Sequence, residues 1–460
     1  MHPISVNFSR PAGPMKPLHG VNNGPVYKFT ADQRITNLDA FRAAGIPYAR
    51  THDSSFYSNY GGEHTVDVHL IFRDFARDPA DPAAYDFTLT DEYLRVIHHS
   101  GTKVFYRLGS KIEHEPKKYG TLPPPDFQKW AMICEHIIRH YTQGWADGFF
   151  YDIAYWEIWN EPDGAADDAD PAKKTCWGGT RAQFCEFFDV AARHLKRCFP
   201  NKKIGGPAVC YPLNDWTDYF LRYLREHDTP IDFFSWHMYT ADPWKTARVE
   251  AETRRLLDSY GFFQTESILN EWNYVRGWEG EDWIYTLEME RGLKGSAFIA
   301  ATLCLSQYQP LDLLMYYDAR PCAMNGLFKP YDVSKNLKGY YSLFFFNQLY
   351  RLGQAVEITG CEAPVAACAA RQDDHMAVLL THFTDQDDAP PVRTRLALEH
   401  LQEKERPLRI SDYQLDAVQD GALVREEIVT GVSAAVYLTL PAFTTYLIQI
   451  EPARLEAENA

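Results

Sequence analysis

Between residue 16 and about residue 352 the chain alternates short apolar runs with longer stretches of helical spacing, eight times over. Strands separated by connections of that length return beside one another in parallel, with the helices covering the outside of the sheet. Eight such units close on themselves, so the expected fold is α/β, a (β/α)8 barrel. The apolar runs lie at 18–22, 47–51, 103–109, 155–164, 203–207, 232–237, 267–271 and 311–317. Helical segments such as 181–198 and 281–305 fall between them, and an eighth helix is expected from Ser334 to about Leu352.

From Ala355 onward the texture changes. Short alternating segments such as VAACAARQ, HMAVLLTHF, AAVYLTL and TTYLIQIEP are separated by turn residues, which predicts an accessory β-sandwich packed on the barrel. The N-terminal ISVNF is expected to add a strand to it. The division is therefore a barrel over 16–352 and a β domain over 353–460 together with about 1–15. No stripe of exposed aromatics is visible in the second unit, which favours a supporting role.

A chain of 460 residues with 45% hydrophobic and 23% charged residues can bury a large core. Its formal charge of -16 argues against a nucleic-acid partner, because affinity for a phosphate backbone depends on clustered Lys and Arg. No stretch has the apolar length of a membrane span, and the first residues lack the apolar run of a signal peptide, so a cytoplasmic protein with no membrane partner is expected. The nine cysteines follow no metal-ligand spacing and suit reduced thiols. Cys361 and Cys368, the nearest pair, are each read as a free small hydrophobe.

Two strand ends carry chemistry. In YWEIWNEPDG, from Tyr155 to Gly164, an aromatic and β-branched strand stops at a Pro-Asp-Gly turn and leaves Glu161 at its C-terminal edge. Trp156, Trp159 and Asn160 beside it favour a functional carboxylate over a solvated loop glutamate. In SILNEWNY, from Ser267 to Tyr274, a second apolar strand delivers Glu271, followed by Trp272 and Asn273. Glu157 lies within its strand and reads as a buried structural group, since chemistry on parallel sheets collects at strand ends. Glu266 is five residues from Glu271, and an extended strand points the two to opposite faces.

Taken in order, WEIWNEPD (156–163), KIGGPAVC (203–210), IDFFSWHMYT (231–240) and ILNEWN (268–273) resemble glycoside hydrolase family 39, over roughly residues 18–350. The resemblance implies a retaining (β/α)8 glycosidase whose acid/base follows an asparagine on strand four and whose nucleophile lies on strand seven. Glu161 and Glu271 hold those places. It further implies that Asn160 binds the sugar hydroxyl beside the anomeric carbon, that His237 and Tyr239 surround the nucleophile, that Arg50 partners its carboxylate and that His52 meets sugar hydroxyls. Trp272 and Tyr317 complete the expected substrate contacts. The chain departs from the family at strand eight, where LLMYYDAR stands in place of a tryptophan found in xylosidases. Arg107, near an acidic position of some relatives, and the insertion-prone segment 51–86 are further departures.

These features predict a retaining exo-glycosidase that removes terminal sugars from short oligosaccharides by double displacement, most like a β-D-xylosidase. An α-L-arabinofuranosidase or another exo-glycosidase of the family is the alternative, and a non-catalytic sugar-binding barrel is the alternative of another class. The partner is an oligosaccharide or small glycoside, no metal or organic cofactor is implied, and homo-oligomerisation is left open. For a retaining pair the carboxyl groups of Glu161 and Glu271 should stand roughly 5–5.5 Å apart.

Overall fold

The computed structural model describes residues 2–29, 34–52, 65–321, 323–402 and 406–453. Eight parallel strands close into a barrel: Gly20–Asn22, Tyr48–Thr51, Lys103–Leu108, Tyr155–Ile158, Lys203–Val209, Phe233–Thr240, Glu266–Tyr274 and Leu313–Tyr316, here strands one to eight. Within the barrel the side chains form layers. Phe105, Tyr155, Phe233, Ile268, Leu313 and Met315 come from five different strands yet form one buried cluster, which only the barrel interior can accommodate. Two residues further along the same strands the interior turns polar, at Arg107, Glu157, Ser235 and Asn270, because alternate residues share a face. The apolar floor and the polar layer above it leave the C-terminal mouth as the place where charged groups gather.

Helices wrap the outside. Phe127–Gln143 is capped by the Asp126 side chain, ends at Gly144 with φ 74°, and buries Trp130, Ile133, Cys134, Ile137, Ile138 and Tyr141 on one face. Arg181–Cys198 begins with a capping box between Thr180 and Gln183. The helix expected over 281–305 is two helices, Gly280–Glu290 and Leu293–Ser306. The break falls at Gly292, whose backbone is extended, so that the second helix enters the space between barrel and β domain at its own angle. The last helix starts at Lys338, later than Ser334, because residues 332–335 form a turn, Asn336 bridges to Phe328 and Leu337 is extended.

The second unit is one nine-stranded sheet, containing the N-terminal strand His2–Pro14 and eight strands from Gln354 to Pro452. The N-terminal strand runs antiparallel to Gln354–Thr359 and parallel to Val392–Glu399. Alternation along His375–His382 separates two faces. Ala377 and Leu379 pack into the barrel core, whereas Met376, Val378 and Leu380 join Ile4, Val6, Leu396, Ile410 and Val436 in a second core. Because that core draws on both ends of the strand order, the sheet curls over itself as a sandwich. The eight described cysteines are free thiols, Cys361 and Cys368 among them, and Cys322 lies outside the described residues.

Candidate active site

Strand four ends at Ile158, and the chain then turns sharply: Trp159 and Glu161 have φ of 75° and 47°. Positive φ in residues bearing a Cβ is strained by roughly 1–3 kcal/mol each and persists only where neighbours enforce it. Here the neighbours are strands three and five. The Trp159 amide donates to Leu108 O at 2.7 Å and the Glu161 amide to Ala208 O at 2.9 Å. Ala208 is itself the extra residue of a β-bulge in strand five, with φ 58°. The Trp159 indole packs outward on Trp130, Trp177 and Phe187, and its Nε1 donates to Cys176 O at 2.8 Å. Trp159 and Glu161 are two residues apart and would share a face in a regular strand, so it is this turn that sends the tryptophan into the helix layer and Glu161 into the mouth.

Strand seven carries a second bulge, between Leu269 and Glu271. Ile268 and Asn270 face the interior; without the bulge Glu271 would face out and Trp272 in. The bulge reverses the parity, so Glu271 enters the mouth. Trp272, expected as a substrate contact, is instead buried on the outer face against Phe298 and Tyr316.

Arg50 on strand two organises the cluster. Its Nε donates to Glu157 Oε2 at 2.7 Å, its Nη1 to Glu271 Oε1 at 2.7 Å and to Asn22 Oδ1 at 3.1 Å, and its Nη2 to Asn160 Oδ1 at 2.6 Å. Burial opposes the guanidinium charge, but the carboxylates of Glu157 and Glu271 outweigh it and raise its pKa. Glu157 also accepts from Ser235 Oγ and Asn270 Nδ2, so its carboxylate is committed to holding strands together.

Glu271 is 3% exposed. Its Oε2 accepts from the Tyr239 hydroxyl at 2.7 Å, and His52 Nε2 lies 3.4 Å from its Oε1. Burial pushes its pKa up, while the Arg50 charge and the Tyr239 hydrogen bond pull the other way. His237 Nδ1 stands between the two carboxylates, 2.8 Å from Glu161 Oε1 and 3.5 Å from Glu271 Oε2. Burial lowers its pKa to about 4, so the imidazole is neutral at neutral pH. The Glu161 side chain is 16% exposed and is the more accessible of the pair. One oxygen from each carboxylate and a ring nitrogen of His237 all lie within 4.8 Å of one another.

The mouth thus brings together Glu161, Glu271, Asn160, Arg50, His52, His237 and Tyr239. Tyr317 joins them at the rim, its ring 6.0 Å from His52 and 6.4 Å from Tyr239. The Nδ2 of Asn160 is buried and has no hydrogen-bond partner among the described residues, which leaves its N–H groups as donors to spare. Arg107 sits below, ion-paired to Asp67 at 2.8 Å and donating to His52 O. Of the insertion-prone segment 51–86, residues 53–64 lie outside the described residues. His19 lies just before strand one, at the opposite end from the mouth, and contacts Gly45 O and the rings of Phe346 and Tyr350, away from the carboxylates. Glu266 is at the opposite end of its strand, bonded to Tyr155 and Lys203.

Three participants escaped the sequence reading. Asn22 donates to Asn270 O at 2.7 Å and links strand one to the bulge. Asn270 precedes Glu271 as Asn160 precedes Glu161, a repeated Asn-Glu pair that marks both sites. Cys176 donates its thiol to Glu161 Oε2 at 3.7 Å from a loop with no signal of its own. The spacing of Glu161, His237 and Glu271 also meets that of a metal site, as does that of Glu135, His194 and Cys198, but Glu135 and His194 already pair at 2.6 Å.

The site is thus a closed parallel barrel whose C-terminal mouth gathers two glutamates, one from strand four and one from strand seven. Residues 48–259 match the family described as Glycosyl hydrolases family 39, and the resemblance to that family holds. The matched segment carries Arg50, His52, Glu161, His237 and Tyr239 and ends before Glu271. A β-xylosidase of Geobacillus stearothermophilus is 29% identical over 126 residues, covering 27% of this chain and 23% of that protein. A β-xylosidase of Caldicellulosiruptor saccharolyticus is 26% identical over 145 residues, 31% of this chain and 25% of its own length. The chain therefore matches about a quarter of each. Over the whole structure, a glucosidase from Croceicoccus marinus superposes with TM-score 0.80 at 26% identity, covering 98% of this chain and 99% of that one. A monomeric β-xylosidase from Caulobacter crescentus CB15 shares the fold, with TM-score 0.71 at 17% identity and coverage of 98% and 100%.

Proposed function

We propose that the chain is a retaining exo-β-glycosidase, most like a β-D-xylosidase, in which Glu161 is the acid/base and Glu271 the nucleophile. The observation that carries this reading is the approach of one oxygen from each carboxylate to within 4.8 Å beside His237. So close an approach of one oxygen from each favours the roughly 5–5.5 Å carboxyl separation of retaining enzymes over the roughly 6.5–9.5 Å of inverting ones.

In the first half-reaction Glu161 protonates the glycosidic oxygen while Glu271 attacks the anomeric carbon. Arg50 and Tyr239 hold Glu271 in line and favour its ionised form against burial. In the second, Glu161 takes a proton from water, which displaces Glu271 from the same face that the leaving group vacated. Asn160 Nδ2 donates to the hydroxyl beside the anomeric carbon, a contact that strengthens as positive charge develops there. Neutral His237, next to both carboxylates, adds no net charge to either.

Likeness to the glucosidase over the whole chain supports a second reading of the sugar, a β-glucoside, and an α-L-arabinofuranoside stands as a third. We also read the protein as cytoplasmic; among the described residues no helix is long and apolar enough to cross a membrane. The test is a panel of aryl β-xyloside, β-glucoside and α-L-arabinofuranoside, followed by NMR of the first product anomer. Fastest release from the β-xyloside with β-xylose formed first is expected. An inverted first anomer contradicts the mechanism, and no turnover on the panel points to a binding protein.

A further inference from the structure

Beyond the carboxylates, the rim holds an aromatic group that the mechanism above does not use. Trp278, in the loop after strand seven, is 55% exposed. Its ring meets Tyr239 edge-on at 5.1 Å, and Trp283 stacks on it at 5.4 Å with an interplanar angle of 27°. Tyr239 in turn donates to Glu271. A line of rings thus runs from the nucleophile to solvent. A large aromatic left this exposed loses the benefit of burial, yet it is braced by Trp283 stacked on it and by Tyr239 at right angles, which fixes its direction while more than half of it stays open to solvent.

We infer that Trp278, backed by Trp283, is a stacking platform for the ring of the leaving group, a second pyranose or an aryl aglycone. The inference rests on the glycosidase reading above. Direction argues for the leaving group. The departing oxygen must lie within hydrogen-bond reach of Glu161, which is tied to His237 on strand six. Tyr239 lies two residues further along that strand, toward the rim, and Trp278 adjoins it there. A ring attached to the departing oxygen therefore projects over strands six and seven, where an indole face meets the apolar face of a sugar or arene.

The experiment compares xylobiose, aryl β-xyloside and β-xylosyl fluoride as substrates of the wild-type enzyme, W278A and W278F. With W278A, kcat/KM on xylobiose and on the aryl xyloside should fall roughly tenfold, chiefly through KM, as expected for the loss of one stacked ring. W278F should recover most of that loss. Fluoride has no ring to stack, so its hydrolysis should change by less than twofold. An equal loss on all three substrates would mean that Trp278 acts through Tyr239 on the nucleophile and would overturn the platform, as would no loss on any. Loss on the aryl substrate alone would keep the platform and restrict it to arenes. A wild-type enzyme inactive on every glycoside would remove the glycosidase reading and the platform with it.

Discussion

Arg50 reaches Glu271 across the barrel mouth at 2.7 Å, both side chains almost wholly buried. The same guanidinium binds Glu157 and Asn160, so one cation sets the position of the nucleophile and of the amide beside the acid/base. Removing it leaves two carboxylates buried without their counter-charge, which costs roughly 3–5 kcal/mol. R50M should unfold at markedly lower urea concentration and show negligible turnover. R50K, which keeps the charge but lacks the planar fork, should recover stability more than activity, a split read by comparing urea midpoints with kcat.

The pH profile follows from Glu271. A nucleophile works ionised, and burial raises its pKa, so activity should be lost as pH falls through a value above the ordinary carboxylate range. Y239F removes a donor to the ionised form and should move that acidic limb to higher pH. An unmoved limb in kcat/KM against pH would mean that another group controls it.

The outward turn of Trp272 shows where the sequence could be read and where it could not. Eight periodic βα units make the barrel legible, and Asn-Glu at two strand ends makes the carboxylates legible. Side-chain facing beyond that depends on strict alternation, and bulges at Ala208 and Asn270 break it. A bulge is set by the neighbouring strands, here strand six between both, and local sequence carries no mark of it. Asn22 and Cys176 were hidden for a related reason: their partners are distant in sequence, and neither residue type is rare in its segment.

Glu250 predicts a pH dependence of stability independent of catalysis. It is fully buried between helices and bonded to Ser306 Oγ at 2.6 Å, and burial raises its pKa from 4.5 to about 8. The folded state therefore holds a proton that the unfolded state releases. The stability is fully present below about pH 4.5 and is lost as pH rises toward 8, at roughly 1.4 kcal/mol per unit from this group. E250Q should flatten that decline between pH 5 and about 8 in urea titrations.

The roles of the two glutamates separate by rescue. E161A should still form the glycosyl-enzyme from an activated aryl glycoside and then stall for want of a base. Azide needs no deprotonation and should restore turnover, giving a glycosyl azide of the substrate's own anomeric configuration. E271A should instead be inactive on the same substrate, and azide rescue with inverted product would place the missing nucleophile at 271.

The most direct test is covalent. A 2-deoxy-2-fluoro glycoside with a good leaving group slows the second half-reaction and lets the intermediate accumulate. Proteolysis and mass spectrometry of the inactivated enzyme should place the sugar on Glu271, in the peptide containing ILNEWN. A sugar found on Glu161 or Glu157, or turnover with inversion and no trapped species, would contradict the assignment.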